Sequence, residues 1–272
     1  MSELRYNNKR IYYEIYGDGE PLILLNGIMM SHLSWKAFIP ELSKNKKLIL
    51  FDFLDQGKSD KMEGIKYGHE LQVEALKALI NHMNIKKADI VGISYGGEIA
   101  MQFAIKYKEL VGKLILFNTA SYTTPWLRDI GRGWINAAKT YDPETFYNVS
   151  IPYIYSPLFY TENNEWMEKR RKILYNVFNR DFLNSMIRLT KSSEGYEIRS
   201  MLREIKAETL IVGAEYDYIT PLIEQEYINE NIKGSKFLVI KNCGHASMYE
   251  KPNEFILLVN GFLNIEKSLL IV

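Results

Sequence analysis

Gly92-Ile93-Ser94-Tyr95-Gly96-Gly97 continues directly from the apolar run Ile90–Ile93 and opens a stretch of helical length at 96–108. Serines flanked by glycines are common in loops. This one falls where a buried strand must turn sharply into a helix, and that context gives the pattern its meaning. Bulky side chains beside such a turn would collide with neighbouring backbone, which accounts for Gly92 and Gly96. The Ser94 hydroxyl is then left exposed at the C-terminal end of the strand. The N-terminus of the next helix faces the same spot and favours developing negative charge. Ser94 is therefore a candidate nucleophile.

Working outward, short and nearly continuous apolar runs recur at Leu22–Leu25, Leu48–Phe53, Ile90–Ile93, Leu114–Phe117, Leu210–Val212 and Phe237–Ile240. Runs apolar on both faces suit parallel strands covered by helices on both sides. Stretches of helical length at 69–83, 96–108, 221–231 and 252–264 alternate with them. The last two open on Pro221 and Pro252, a residue suited to the first turn of a helix. Residues 9–16 alternate in part and end at Gly17-Asp18-Gly19, which reads as strand leading into a turn. The alternation predicts the α/β fold class, with a doubly wound, mostly parallel sheet.

The pattern breaks between 122 and 205. These 84 residues hold 15 of the chain's 35 Phe, Tyr and Trp residues and eight of its ten arginines, so the segment differs in kind from what flanks it. Over 165–178, Trp166, Met167, Ile173, Leu174, Val177 and Phe178 fall near one helical face. Glu165 and Glu168 precede Lys169 and Lys172 by four residues. The expected organisation is a core at 1–121 and 206–272 with a helical cap at 122–205 over one edge of the sheet. Trp126, Trp134, Phe159 and Tyr160 are candidates for an apolar substrate pocket, although most aromatics of a small cap simply hold it together. The arginines could grip an anionic group in bidentate fashion. Ten acidic residues accompany the twelve basic ones, so solvated helix faces account for them better.

A serine hydroxyl needs a base to be a useful nucleophile at neutral pH. Four imidazoles are available: His32, His69, His82 and His245. His245, in Asn242-Cys243-Gly244-His245, falls on a loop past the last strand run, at the same end of the sheet as Ser94. His82 falls mid-helix and His69 near a helix start, where packing, capping or solvation suffices. The base in turn needs a carboxylate to fix its tautomer and stabilise the imidazolium. Asp217, in Gly213-Ala214-Glu215-Tyr216-Asp217, is favoured for this over Glu215, which falls at the strand end.

With nucleophile, acid and base in the order Ser94, Asp217, His245, the chain resembles the α/β-hydrolases of the esterase and lipase-like superfamily almost from end to end. The resemblance implies an eight-stranded sheet with the cap inserted after the sixth strand. In that family a backbone N–H just after a His-Gly pair, past the third strand, helps hold an oxyanion. The matching stretch is Leu24-Leu25-Asn26-Gly27-Ile28-Met29, so the resemblance assigns the oxyanion hole to the backbone N–H groups of Ile28 and Tyr95, with Asn26 where the histidine usually stands. Asp52-Phe53-Leu54-Asp55-Gln56-Gly57-Lys58-Ser59-Asp60 is similar to the family's D-x-R-G-x-G-x-S-D loop. Leu54 and Asp55 replace its Arg and first Gly, and the loop reads as scaffold. Haloalkane dehalogenases and epoxide hydrolases of this fold carry Asp at the elbow, so Ser94 points away from those reactions. The resemblance implies a cofactor-independent serine hydrolase of a small carboxylic ester, thioester or lactone. A carbon–carbon bond hydrolase or lyase of the same fold, or a hydrolase-like ligand-sensing receptor, are its alternatives.

Composition sets the remaining bounds. The 272 residues carry 34 Lys and Arg against 33 Asp and Glu, a net charge of +1, which gives no electrostatic case for nucleic acid or an anionic membrane. At 47% hydrophobic and 25% charged, the chain can bury a sizeable core. The lone Cys243 excludes an internal disulfide and multi-cysteine zinc patterns, so no metal or cofactor is expected. Near His245 it reads as a small buried residue, with thiol sensitivity as the sharper alternative. Met1–Tyr6 lacks an apolar signal core, and no run approaches the roughly 20 residues that span a bilayer. A cytoplasmic location and a small-molecule substrate are expected, with no nucleic-acid or membrane partner. The apolar tail at 268–272 leaves the oligomeric state open.

Overall fold

The structure, a computed structural model, describes residues 2–265, so the tail at 268–272 lies outside the described residues. Strands β1 (Ser2–Tyr6), β2 (Lys9–Tyr16), β3 (Glu20–Leu25), β4 (Lys46–Phe51), β5 (Ala88–Ile93), β6 (Val111–Phe117), β7 (Glu208–Ala214) and β8 (Lys236–Ile240) form one sheet. Its order is β1-β2-β4-β3-β5-β6-β7-β8. All pairings from β4 to β8 are parallel, whereas β2 runs antiparallel to both neighbours. The mostly parallel, doubly wound sheet implied by the alternation is what forms. Strand β1 has no counterpart among the runs read from the sequence. It joins β2 through Asn7 and Asn8, both at positive φ (47° and 61°), a two-residue turn that Asn adopts readily.

Helices α1 (Ile39–Leu42), α2 (His69–His82) and α3 (Tyr95–Lys106) follow β3, β4 and β5 in turn. Side chains leave each strand alternately to the two faces. On one face Ile23, Leu25, Ile90, Leu114 and Leu116 pack under Leu76 and Ile80 of α2 and Ile99 and Phe103 of α3. On the other, Leu22, Leu24, Val91, Ile115 and Phe117 pack with Trp35 and Phe38. Each such side chain, fully buried, contributes about 1.5–3 kcal/mol. A run of small strands buried on both faces therefore fixes the sheet, and with it the end at which β5 delivers Ser94.

Between β6 and β7 lie α4 (Pro125–Ala138), α5 (Pro143–Ile154), α6 (Pro157–Glu162), α7 (Asn164–Val177) and α8 (Arg180–Ser192). Side-chain oxygens of Thr124, Asp142, Ser156 and Asn179 cap four of these helices, and Pro125, Pro143 and Pro157 occupy first turns. They share an apolar cluster built on Phe146, Tyr147, Met167, Phe178 and Leu183. The face of α7 differs from the sequence expectation. Met167, Arg170, Leu174 and Phe178 turn inward at spacings of three and four, while Ile173 and Val177 are 61% and 41% exposed. Both sets of residues make a plausible stripe. The inward one wins because Met167 and Phe178 meet Phe146 and Tyr147 of α5, and an arginine is carried inward with them.

Beyond β7, the chain adds α9 (Leu222–Asn231), α10 (Ser247–Glu250) and α11 (Pro252–Asn264). Phe255 and Val259 of α11 complete the second face of the core. Among the described residues, no helix is long and apolar enough to cross a membrane.

Candidate active site

Strand β5 ends at Ile93 and α3 begins at Tyr95, leaving Ser94 alone to make the turn at φ 53°, ψ −120°. A non-glycine residue held there stores about 1–3 kcal/mol. The surroundings enforce it. A Cβ on Gly92 would lie 2.5 Å from the Gly96 carbonyl oxygen, and one on Gly96 would lie 2.3 Å from that of Leu25. The Ser94 N–H donates to the Phe117 carbonyl (2.9 Å), and its own carbonyl accepts from Gly97 N–H (2.8 Å) and Thr119 Oγ1 (2.8 Å). The hydroxyl is left facing outward at the end of the sheet.

Asp217 and His245 come from the loops after β7 and β8. Asp217 Oδ2 lies 2.8 Å from His245 Nδ1. It also accepts from Asn118 Nδ2 (2.9 Å) and Thr220 Oγ1 (2.9 Å), while Oδ1 takes the Ile219 and Thr220 N–H groups at 2.8 Å each. Burial alone would raise this carboxyl; the His245 charge and these donors outweigh it and hold Asp217 below the usual carboxylate range. Asn118 also accepts from Ser247 Oγ (2.9 Å), so the two loops are braced through one side chain. Glu215 is directed elsewhere, accepting from Asn242 N–H (2.9 Å) and Lys241 Nζ (3.2 Å). No hydrogen bond joins Ser94 to His245 among the described residues; they face each other across a shared cavity. Such contacts often close only with substrate bound.

Tyr95 opens α3, so its N–H has no acceptor within the helix. Across from it, the Gly27 carbonyl accepts from Gln56 Nε2 (2.9 Å) and Met30 N–H (3.0 Å). That carbonyl and the Ile28 N–H belong to one planar peptide, so fixing the first aims the second the opposite way. Asn26 is fully buried, donating to the Phe51 carbonyl (2.9 Å) and Gln56 Oε1 (3.1 Å) and accepting from Trp35 Nε1 (2.7 Å). The departure from histidine thus supports the loop rather than the chemistry.

Two cavities flank Ser94. One, of about 100 Å³, includes Ser94, His245, Ile154, Tyr155, Arg170 and Tyr249 in its walls. The other, of about 70 Å³, includes Ser94, Glu98, Thr123, Thr190, Ser193 and Thr220. Trp134 and Ile28 line both. Of the four aromatic candidates, only Trp134 reaches either space. Trp126 is 52% exposed and donates to the Tyr218 carbonyl (2.6 Å). Phe159 packs on Tyr155 and Trp166, and Tyr160 lies beside Tyr147 and Arg171. Phe159 and Tyr160 hold the helical layer together, Trp126 ties it to the loop after β7, and none of the three walls the cavities.

Two wall residues were not singled out from the sequence. The Arg170 guanidinium lies 4.3 Å from the Tyr249 ring, and its buried Nε has no partner. Its spacing from Met167, Leu174 and Phe178 is the signal that could have revealed it. Glu98, in the first turn of α3, is 4% exposed. His69 Nδ1 accepts from Gln102 Nε2 (3.0 Å), so Nε2 bears the proton and donates to Ser193 Oγ (3.0 Å). Glu98 Oε2, although 3.3 Å from that nitrogen, is left without a hydrogen bond. Burial pushes His69 down to about 3 and Glu98 well above the carboxylate range. Both shifts disfavour opposing charges here and favour a neutral Glu98 carboxyl.

That state has a consequence for stability. Below about pH 4.5 Glu98 is protonated folded and unfolded. As pH rises, the unfolded carboxyl ionises while the folded one keeps its proton, so folding becomes less favourable. Glu98→Gln removes this loss. Thermal melts should show the variant gaining on the wild type as the pH rises above about 4.5; a difference independent of pH would mean that Glu98 is ionised in the fold.

The remaining candidates are structural. His32 is buried with Nδ1 2.6 Å from Asp52 Oδ2, and His82 ends α2 on the surface. Cys243 is fully buried in the second core cluster, where burial pushes its thiol up. Among the described residues, no group of three or more His, Cys, Asp or Glu is placed to hold a metal ion.

A family model described as "alpha/beta hydrolase fold" matches residues 20–252. The chain is 48% identical to MGS-M2, an alpha/beta hydrolase enzyme from a Medee basin deep-sea metagenome library, with a TM-score of 0.96 over 98% of both chains. It is 27% identical to the 2-hydroxy-6-oxo-2,4-heptadienoate hydrolase of Pseudomonas putida, over 92% of this chain and 91% of the relative. It is 28% identical to the 2-hydroxy-6-oxo-6-phenylhexa-2,4-dienoate hydrolase of Comamonas testosteroni, over 97% and 94%.

Proposed function

The chain belongs to the alpha/beta hydrolase fold family and is a hydrolase, and from that premise we propose that it hydrolyses a small carboxylic ester, thioester or lactone bearing an acidic group. Ser94 Oγ attacks the carbonyl as His245 Nε2 takes its proton. The N–H groups of Ile28 and Tyr95 hold the oxyanion, and His245 returns the proton to the leaving group. Water then releases the acyl group from Ser94 by the same steps. Asp217 keeps His245 in the tautomer that accepts at Nε2. The observation that carries this reading is the strained Ser94 elbow sharing a cavity with the Asp217–His245 pair.

The acidic group rests on Arg170. A partly buried arginine whose Nε–H lacks a partner, and whose side chain lines the cavity that holds Ser94 and His245, suits a carboxylate. The test is hydrolysis of p-nitrophenyl hexanoate against the mono-p-nitrophenyl ester of adipate. Charge-assisted hydrogen bonds contribute about 1.5–3 kcal/mol each, so the wild type should favour the adipate by about 10- to 100-fold in kcat/KM. Arg170→Met should erase that preference through KM. Equal rates on both esters in the wild type would remove the acidic group from the proposal.

A second reading is carbon–carbon bond hydrolysis, favoured by the names of the Pseudomonas and Comamonas relatives, whose substrates are dienoates. Water would then place its hydroxyl on the carbonyl carbon and its hydrogen on the departing carbon. Trapping an acyl group on Ser94 with an ester substrate supports the first reading; turnover of 2-hydroxy-6-oxo-2,4-heptadienoate without ester turnover supports the second. The relatives are hydrolases by name, which weighs against a ligand-sensing receptor.

A further inference from the structure

The cavity on the far side of Trp134 from Arg170 has a chemistry of its own. Among the described residues, eight buried side-chain polar atoms lack any hydrogen-bond partner, and three of them, Glu98 Oε2, Trp134 Nε1 and Thr190 Oγ1, belong to residues that line this cavity. Glu98 and Trp134 are 4% and 6% exposed. They come from different elements, α3, α4 and α8, so no local motif explains their convergence. An unpartnered buried polar group is destabilising, and proteins leave few of them. Three on residues that line one space of about 70 Å³ point to a site whose partners arrive from outside. The charged residues at its edge, Arg128, Arg132 and Glu194, lie on exposed surface, and Arg132 already pairs with Asp129 (3.0 Å). Its interior therefore offers hydrogen bonds without net charge.

We propose that the chamber walled by Glu98, Trp134 and Thr190 binds an uncharged, oxygen-bearing group, a hydroxyl, ether or carbonyl, on one half of the substrate cleaved at Ser94. Trp134 Nε1 can only donate, a protonated Glu98 and Thr190 can donate or accept, and an oxygen with two lone pairs satisfies more than one of them. An alkyl chain would fit the space yet leave all three unpaired, and an anion would meet no cation inside. A site built this way rejects the apolar isostere of its ligand more strongly than an apolar pocket rejects an added hydroxyl. The two chambers would then read the two halves of one substrate, charge at Arg170 and neutral oxygen at Glu98. This assignment rests on the acyl-transfer reading for the position of the scissile bond.

The test compares isosteric esters in which one CH2 is replaced by an ether oxygen. 2-Methoxyethyl acetate against butyl acetate probes the leaving half, and ethyl 3-methoxypropanoate against ethyl pentanoate probes the acyl half. Rates are divided by those of hydroxide-catalysed hydrolysis to remove intrinsic reactivity. In one of the two pairs the ether should be favoured about 3- to 10-fold in kcat/KM, the range of one or two neutral hydrogen bonds. Glu98→Leu and Thr190→Val should each reduce that ratio towards unity, and Glu98→Gln, which keeps a donor, should retain part of it. Because each variant is judged by a ratio within one preparation, partial unfolding does not imitate the effect. A readout independent of turnover uses Ser94→Ala and difference infrared spectroscopy. The carbonyl stretch of the protonated carboxyl, absent from Ser94→Ala/Glu98→Gln, should shift with the preferred ether and not with its alkyl isostere. Ester turnover with no Glu98-dependent preference, or no infrared shift, overturns the chamber assignment and leaves the hydrolase reading intact. A selective shift without turnover of any ester supports the chamber and overturns ester hydrolysis.

Discussion

Ser94→Ala reduces turnover by about 10⁴- to 10⁶-fold, the range seen when a triad residue is deleted, while the melting temperature stays close to that of the wild type. The two expectations come from different atoms. The backbone of Ser94 supports the fold through Phe117, Gly97 and Thr119, and alanine keeps all of those bonds. The hydroxyl makes no hydrogen bond to His245 in the free protein, so its loss orphans nothing. Ser94→Gly separates the two roles further. Glycine occupies positive φ without strain, so relief of the turn at φ 53° should make this equally inactive variant more stable than the wild type. Asp217→Asn keeps the shape but reverses the hydrogen bond to His245 Nδ1, favouring the wrong tautomer, and should cost about 10⁴-fold in kcat. The assays are p-nitrophenyl esters from acetyl to decanoyl, beside calorimetric melts. Turnover within tenfold of wild type in Ser94→Ala would remove this serine from the chemistry.

How far the sequence carried the reading follows from the range of the forces involved. Strands buried on both faces must be apolar throughout, and the elbow needs glycine at fixed positions, so β3 to β7 and the turn at Ser94 are written locally. The helix starts at Thr124-Pro125, Asp142-Pro143 and Ser156-Pro157 are equally local. The face of α7 is not. Ile173 and Val177 are as apolar as Leu174, and only contact with α5 decides that Arg170, not Ile173, turns inward. The aromatic residues Trp126, Phe159 and Tyr160 mislead for the same reason, since composition does not say which side of a helix meets a cavity. Glu98 is the hardest case. One turn past Ser94 it looks like an acid placed to suit a helix N-terminus. Only burial against α2 and α8 raises its carboxyl and favours the neutral form.

The departure at Asp55 shows how a sequence anomaly becomes legible once its partners are known, and it carries the largest stability effect. Asp55 stands where the resembled loop has glycine, and its φ of 74° is the conformation a glycine there would supply; aspartate is among the few residues that tolerate it. Its carboxylate is fully buried and accepts from Met62 N–H (3.0 Å), Tyr67 Oη (2.7 Å) and both Nε and an Nη of Arg188. Arg188 comes from α8, so this pair ties the inserted helices to the loop whose Gln56 holds the Gly27 carbonyl. Arg188→Met leaves a buried carboxylate without its cation and should cost about 3–5 kcal/mol. At about 2–4 °C per kcal/mol for a chain of this size, the melting temperature falls by about 6–20 °C. Activity should fall as well, because the support of the Ile28 N–H is loosened. Asp55→Gly in the same chain removes the orphaned charge and suits the backbone, so the double variant should regain most of the loss. If it melts as low as Arg188→Met alone, the cost lies in the packing of the arginine stem and not in the uncompensated charge.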